Sequence, residues 1–382
     1  MTNRDKITVS PVVSRRDMKD FIRLPHAVYA NDPAWIAPLD FERREHLSKK
    51  NPFFTHGEAQ LFVARRGEKP VGRISAQINH LHLERYDDDC GFFGFLEAVD
   101  DVEVFRTLLE TAQEWLKAKG MKKARGPFSY SINEESGVLV EGFEHPPVIM
   151  MGHARPYYDA HIRACGFAKA ADMIAYDYPG LAPVPEAAAK LLRRLVEKGA
   201  ISVRPMRKKE LAAELDLVMD IFNDAWAHNW GFVPFTRAEI EKLGEDLKLI
   251  VRDEDAYIAS YKGEPAAMVI TLPDINEYIR DFGGKLLPFN WAKLIWRLKF
   301  TGPPKCMRMP LMGVRSKYHG KAIGSALALA VIDAARFYHM NRGVERGELS
   351  WILESNLPMR KMIEAVGGIP YKTYRVYEKA LS

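Results

Sequence analysis

Residues 309–337, MPLMGVRSKYHGKAIGSALALAVIDAARF, narrow the choice of fold at once. An apolar run ending at Val314 reads as a strand, a short polar loop follows, and a long apolar helix begins near Gly324 or Ser325. This strand, loop, helix order predicts an α/β chain, of the α+β kind with a mixed sheet. The small residues Gly320, Ala322 and Gly324 let main-chain N–H groups approach an anion closely. The helix N-terminus adds partial positive charge, so the loop is a candidate pyrophosphate cradle. A Walker A loop matches less well because no Gly-Lys-Ser/Thr closes the segment. The dinucleotide fingerprint fails because no acidic residue sits on a second strand at the expected distance. A plain glycine-containing turn is the alternative.

The chain has 382 residues, against about 100 to 200 in an ordinary domain, so two domains are expected. With 47% hydrophobic and 27% charged residues it has ample material for packed cores. Residues 178–185, YPGLAPVP, have the composition of a linker. The expected division is residues 1–178, a linker and leading helix over 179–200, and residues 201–382. In the first half 60–66, 70–78 and 91–99 read as strands, and 104–119 as a helix with Leu108, Leu109, Ala112, Trp115 and Leu116 at helical spacing. In the second half 257–261, 266–272 and 308–314 read as strands and 324–340 as a helix. The chain endings repeat: the windows from Ile162 and Ile363 match without a gap at Ile, Ala, Gly and the Tyr176/Tyr377 pair.

The 55 basic and 50 acidic residues leave a net charge of +5, too mild by itself to name a partner. Beyond one basic insertion and the short run RPMRKK from Arg204 there is no basic stripe for nucleic acid. Cys90, Cys165 and Cys306 form no CxxC pair, so neither a disulfide framework nor a thiolate metal site is indicated. There is no apolar leader and no apolar run of about 18 residues, so a cytoplasmic location is expected.

The loop resembles the signature of the GNAT (GCN5-related N-acetyltransferase) superfamily, Arg/Gln-x-x-Gly-x-Gly/Ala between a strand and a helix. Here it reads His319-Gly320-Lys321-Ala322-Ile323-Gly324, with His319 and Ala322 departing from the pattern. The resemblance implies acyl-CoA or acetyl-CoA as cosubstrate and no metal. The implied CoA-binding positions are Met312, Gly313, Val314, His319 to Gly324, Ser325 and Asn356. The usual tyrosine of the family, which protonates the departing thiolate, is replaced by Ile363. Tyr318, Tyr371, Tyr374 and Tyr377 are substitutes in principle, and Tyr374 is carried as the candidate.

Amide formation needs a base for the amine. On GELSWILESN, strand alternation puts Glu348, Ser350 and Glu354 on one side and Trp351 on the other, which makes Glu354 and then Glu348 the candidates. Solvated edge charges are the plain alternative. The first half lacks the loop: two aspartates, Asp100 and Asp101, stand where small residues would be needed, and they would repel pyrophosphate. That half is expected to be a degenerate GNAT-like domain shaping the substrate cleft. Its segment 128–158, dense in polar and aromatic residues, is either substrate-facing or a long packed connection.

Residues 285–308 contain Lys285, Lys293, Arg297, Lys299, Lys305 and Arg308 and no acid. A helical reading puts Trp291, Leu294, Ile295 and Leu298 on one face with Lys293 and Arg297 on another. Together with Trp296 this is the pattern of an interfacial helix on an anionic membrane; an ordinary packed amphipathic helix is equally open. Residues 223–236 add Trp226, Asn229, Trp230 and Phe232, a wall suited to a long acyl chain or lipid amine, which core packing would also explain; Trp351 joins it as a substrate candidate. In layout, and in NWGFVP and WILESN, the chain is similar to two-domain GNAT-type proteins that include bacterial ceramide synthases. The resemblance implies an acyl-CoA-dependent N-acyltransferase acting on a hydrophobic or lipid amine, peripheral on the inner membrane face. A non-catalytic acyl-CoA or lipid binding protein and a small-molecule N-acetyltransferase are the alternatives.

Overall fold

The structure is a computed structural model that describes residues 6–180, 186–248 and 250–381. Residues 181–185 of the proline-rich linker lie outside the described residues. In chain order the strands are β1 (Ile7–Pro11), β2 (Gly57–Arg66), β3 (Lys69–Asn79), β4 (Cys90–Ala98), β5 (Lys123–Gly126), β6 (Val138–Glu141), β7 (Ala168–Tyr178), β8 (Ile201–Pro205), β9 (Ala256–Tyr261), β10 (Glu264–Pro273), β11 (Cys306–Val314), β12 (Arg346–Leu353) and β13 (Ile369–Ala380). The chain divides into two compact units: Met1–Met173 with Ile279–Trp291 and Lys372–Ser382, and Ile174–Tyr278 with Ala292–Tyr371.

In the first unit β1 pairs antiparallel with β2, β2 with β3 and β3 with β4. Helix Val102–Ala118 then carries the chain across to β5, which runs parallel to β4 from Cys90↔Lys123. The C-terminal part of β13 pairs antiparallel with β5, from Tyr377↔Gly126 to Ala380↔Lys123. Val104, Leu108, Leu109, Ala112 and Leu116 form the buried face of the helix at the spacing the sequence predicts, while Trp115 is only half-buried. The fit is close: a Cβ on Gly72 of β3 would stand 2.6 Å from Leu108 Cδ1.

The second unit repeats this order. β8 pairs antiparallel with β9, β9 with β10 through a two-residue turn with Lys262 and Gly263 both at positive φ, and β10 with β11. Helix Ala322–Met340 crosses to β12, parallel to β11. The far side of β12 is flanked by β7, whose residues from Ile174 on belong to this unit. Ala326, Leu327, Ala330, Val331 and Ala335 pack on Ala259, Ala266, Ala267 and Val269 in a core built largely from small residues. The sharing of the two chain-end strands follows from this division: most of β13 serves the first unit and the end of β7 the second.

One local expectation changes. Strand β12 ends at Leu353, so Glu354 lies in the turn before helix Leu357–Ala365 and not on the strand with Glu348. The strand ends early because Asn356 caps the helix, its side chain accepting from Met359 N at 3.3 Å.

Candidate active site

The parallel pairing of β11 with β12 extends only from Cys306↔Arg346 to Met309↔Leu349, although β11 continues to Val314 and β12 to Leu353. On its other side β11 stays paired with β10 as far as Val314. The two strands therefore part at their carboxyl ends, the position where open α/β sheets bind ligands. Residues Met312, Gly313 and Val314 lie on the stretch of β11 that is unpaired on its β12 side, directly before the loop.

The loop is held by side chains rather than by its own bulk. Asp224, on helix Leu211–Trp226, accepts from Ser316 N at 2.6 Å and Ser316 Oγ at 2.8 Å. Burial opposes charge on Asp224, but these two bonds outweigh it and hold the carboxyl below its ordinary range. His319 Nε2 lies 2.6 Å from Val314 O and Lys321 Nζ donates to Lys317 O at 2.7 Å. Gly320 has φ +69, and a Cβ on Gly324 would meet Tyr318 O at 2.3 Å, so both glycines are required by the backbone.

Lys321 is the N-cap of helix Ala322–Met340 and makes no side-chain cap bond. Among the described residues, no bond fills the N–H groups of Gly320, Ala322 and Ile323. With exposed Ser325 beside them, they offer an anion three donors at the positive end of a long helix dipole. Helix Val102–Ala118 of the first unit ends differently. Its N-cap Asp101 accepts from Glu103 N at 2.9 Å and from Arg66 Nη2 at 2.6 Å, so a carboxylate already occupies the place of an anion. The residues of the second loop thus fit a pyrophosphate and those of the first do not.

Beside the strand opening lies an enclosed polar chain. Arg308 Nε donates to Ser350 Oγ at 3.2 Å, Ser350 Oγ donates to Glu348 Oε2 at 2.8 Å, and Tyr371 OH is 3.4 Å from Glu348 Oε1. Glu348 is fully buried, not a solvated edge charge. The Arg308 guanidinium also stands 5.3 Å from the Trp351 ring centre, and Trp351 Nε1 is enclosed with no hydrogen-bond partner among the described residues. Glu354, in the turn at the carboxyl end of β12, is half-buried.

The remaining predicted residues scatter. Trp226 Nε1 donates to Met312 O at 2.9 Å, placing its ring against β11. Phe232 belongs to a core cluster with Val218, Ile221, Phe222, Ile258 and Met268, and Asn229 and Trp230 are half-buried in the loop before it. Asn356 serves as a helix cap. Tyr374 lies in the first unit, fully buried, its hydroxyl 3.2 Å from Gly152 O, so the tyrosine that accompanies Glu348 is Tyr371. Burial raises the thiols of Cys90, to about 12, Cys165 and Cys306, which leaves none of them poised as a nucleophile.

Sequence reasoning missed a second polar cluster, in the first unit. Arg43 Nη1 bonds Glu135 at 2.8 Å and His46 Nε2 lies 2.7 Å from Glu134. Burial opposes charge on His46, but Glu134 overcomes it and raises the imidazole above its ordinary value. Tyr130, at φ +82, packs between Phe53 and His46, its hydroxyl without a hydrogen-bond partner among the described residues. The glutamates were visible in the dense segment 128–158; their partners, some ninety residues earlier, were not.

Comparison with known proteins bears on the whole length. No family model matches the chain. It is 45% identical over 373 residues, 98% of the chain and 95% of the relative, to protein YghO of Escherichia coli. It is 44% identical over all 382 residues, and 99% of the relative, to the bacterial ceramide synthase of Caulobacter vibrioides. Among solved structures it resembles a tandem GNAT protein from the clavulanic acid biosynthesis pathway, with a TM-score of 0.58, 14% identity and 99% of each chain covered. A GCN5-related N-acetyltransferase from Sphaerobacter thermophilus aligns with a TM-score of 0.54 and 13% identity over 98% of this chain and 96% of its own.

Proposed function

From the premise that this chain belongs to the family of bacterial ceramide synthase and protein YghO, and is a GNAT-type acyltransferase, we propose that it moves an acyl group from acyl-CoA to a lipid amine. The observation that carries this reading is the pairing of an uncapped helix N-terminus, with three unfilled N–H groups, with strands that part beside it. The main-chain N–H groups of Gly320, Ala322 and Ile323 hold the pyrophosphate, and the open edge of β11 at Met312 to Val314 lies against the arm that follows. Acyl-CoA would supply the acyl group as a thioester, whose C–S bond breaks as the C–N bond forms, the thiolate leaving with little need of acid assistance.

The protein's own residues do the rest by position. Glu354, half-buried at the mouth of the strand opening, takes the proton of the attacking amine. Glu348 is too enclosed to exchange protons with solvent and instead orients Ser350 and Tyr371. The raised thiol pKa values support direct attack of the amine without a cysteine-bound intermediate. Trp226, half-buried and bonded to Met312, lines the apolar side toward which the acyl chain runs. A lipid acceptor also makes an anionic bilayer the natural partner.

The test is product identity. Palmitoyl-CoA is incubated with the protein and a panel comprising a long-chain amino diol, a long-chain amine and small polar amines, and amides are sought by mass spectrometry. An amide of the long-chain amines is expected. Tight CoA binding with no amide from any acceptor would leave a binding protein, and an amide of the small amines alone would leave a small-molecule acetyltransferase.

A further inference from the structure

Helix Asn290–Phe300 buries no residue completely. Its residues are fixed relative to one another by helical geometry alone, at about 100° per residue. Leu294, Arg297 and Leu298 share the half-buried arc, and Arg297 donates inward to Tyr278 O. The outward arc carries Trp291 at 51% exposure, Ile295 at 45%, Trp296 at 57% and Phe300 at 71%, with Lys293 and Lys299 exposed among them. This is not the face the sequence pattern suggested: Leu294 and Leu298 turn in, and Arg297 is withdrawn from solvent. The segment leading into the helix exposes Leu287 at 74% and Phe289 at 78%.

Single exposed apolar side chains are ordinary, but four large ones on one short helix, two of them tryptophans, are not. Tryptophan favours the interface between water and hydrocarbon because its ring is apolar and its N–H is polar. At eleven residues the helix is about 16 Å long, too short to cross a bilayer, and no described helix is long and apolar enough to do so. It can lie in the plane of the interface.

We propose that the outward face of helix Asn290–Phe300 docks on an anionic bilayer, with Trp291, Ile295, Trp296 and Phe300 entering the headgroup boundary and Lys293 and Lys299 meeting lipid phosphates. Charge decides between this occupant and a second copy of the chain. Lys293 and Lys299 are exposed on this arc and residues 285–300 contain no acid, so two copies would set lysine against lysine, whereas an anionic surface complements them. The docking deepens the lipid-amine reading in naming the surface where such an acceptor is met, and it rests on that reading only for its purpose.

The full chain is sedimented with phosphatidylcholine vesicles containing phosphatidylglycerol and with phosphatidylcholine alone, without substrates. The wild type is expected to bind the anionic vesicles, with a blue shift in tryptophan fluorescence, and to release as salt approaches about 1 M, where charges are screened within about 3 Å. The pair Trp291→Ser with Trp296→Ser should lose at least about tenfold in binding. The pair Lys293→Glu with Lys299→Glu should lose at least about tenfold as well, since each basic residue contributes about fivefold. Both pairs change only exposed positions, and a melting temperature equal to wild type confirms folding. No wild-type binding at low salt, or binding untouched in both pairs, overturns the proposal. Self-association of the wild type that the tryptophan pair abolishes overturns it in favour of a second copy. Transfer to a soluble amine, measured on the same variants, separates the two readings: docking without transfer sinks only the chemistry, and transfer without docking sinks only the surface.

Discussion

Arg308 Nε stands 3.6 Å from a Glu348 carboxylate oxygen, and both side chains are enclosed, at 2% and 0% exposure. An ion pair this deep contributes little net stability, since desolvation offsets attraction, yet removing one partner strands the other. Arg308→Met should therefore cost about 3 to 5 kcal/mol in urea unfolding. The double change Arg308→Met with Glu348→Leu should recover much of that loss while acyl transfer stays depressed, because Ser350 and Tyr371 lose the group that orients them. Full activity in a stable double variant would contradict a positioning role.

Gly324 and Gly320 make separable demands on the loop. A methyl group on Gly324 meets the Tyr318 carbonyl at 2.3 Å, so Gly324→Ala must move the loop and should weaken CoA binding at least tenfold by calorimetry. Gly320 has open space around it but φ +69, and Gly320→Ala should cost only about 1 kcal/mol, mostly in stability. Gly324→Asp adds a charge opposed to phosphate and should abolish binding; an unchanged dissociation constant there would remove the cradle from the account.

Glu354→Gln should lower kcat by roughly 10² to 10⁴ while CoA affinity stays within a factor of two or so, the pattern of a lost base. Full kcat in Glu354→Gln would remove Glu354 as the base.

His339 gives a pH dependence with a definite sign. Its Nε2 lies 2.8 Å from the Thr271 hydroxyl in the core, and burial lowers its pKa from 6.5 to about 4. The folded chain therefore favours the neutral ring. Its contribution is present above pH 6.5 and is lost as pH falls toward 4, up to roughly 3 kcal/mol. Asp255, raised to about 6 by its own burial, works in the opposite direction over much of the same range, because the folded chain favours its protonated form. His339→Gln should reduce the loss of stability as pH falls from 6.5 toward 4, read from denaturant midpoints across that window, and leave the shares of His26, His82 and His153, whose burial also favours the neutral ring.

The crossover segment was legible because strand, loop and helix each carry a local signal: period, small residues, and an abrupt change to helical spacing. Helix Val102–Ala118 was legible for the same reason, and Asp101 announced that the first unit's helix end would be occupied. The enclosure of Glu348 was not, because alternation assigns a side and not its burial, which depends on Arg308 some forty residues away. Helix Asn290–Phe300 is apolar around most of its circumference, so periodicity could not choose its outward face. Tyr374 could not be placed because no local pattern tells which unit a terminal strand will serve.

The most direct measurement is free-thiol release on mixing the protein with palmitoyl-CoA and a long-chain amino diol, run beside the same reaction with acetyl-CoA and beside the Gly324→Asp variant. Acyl transfer at this loop gives amine-dependent release with palmitoyl-CoA, release at least about tenfold slower with acetyl-CoA, and none from the variant. Release that is independent of the amine, or equal in wild type and variant, would contradict acyl transfer at this loop.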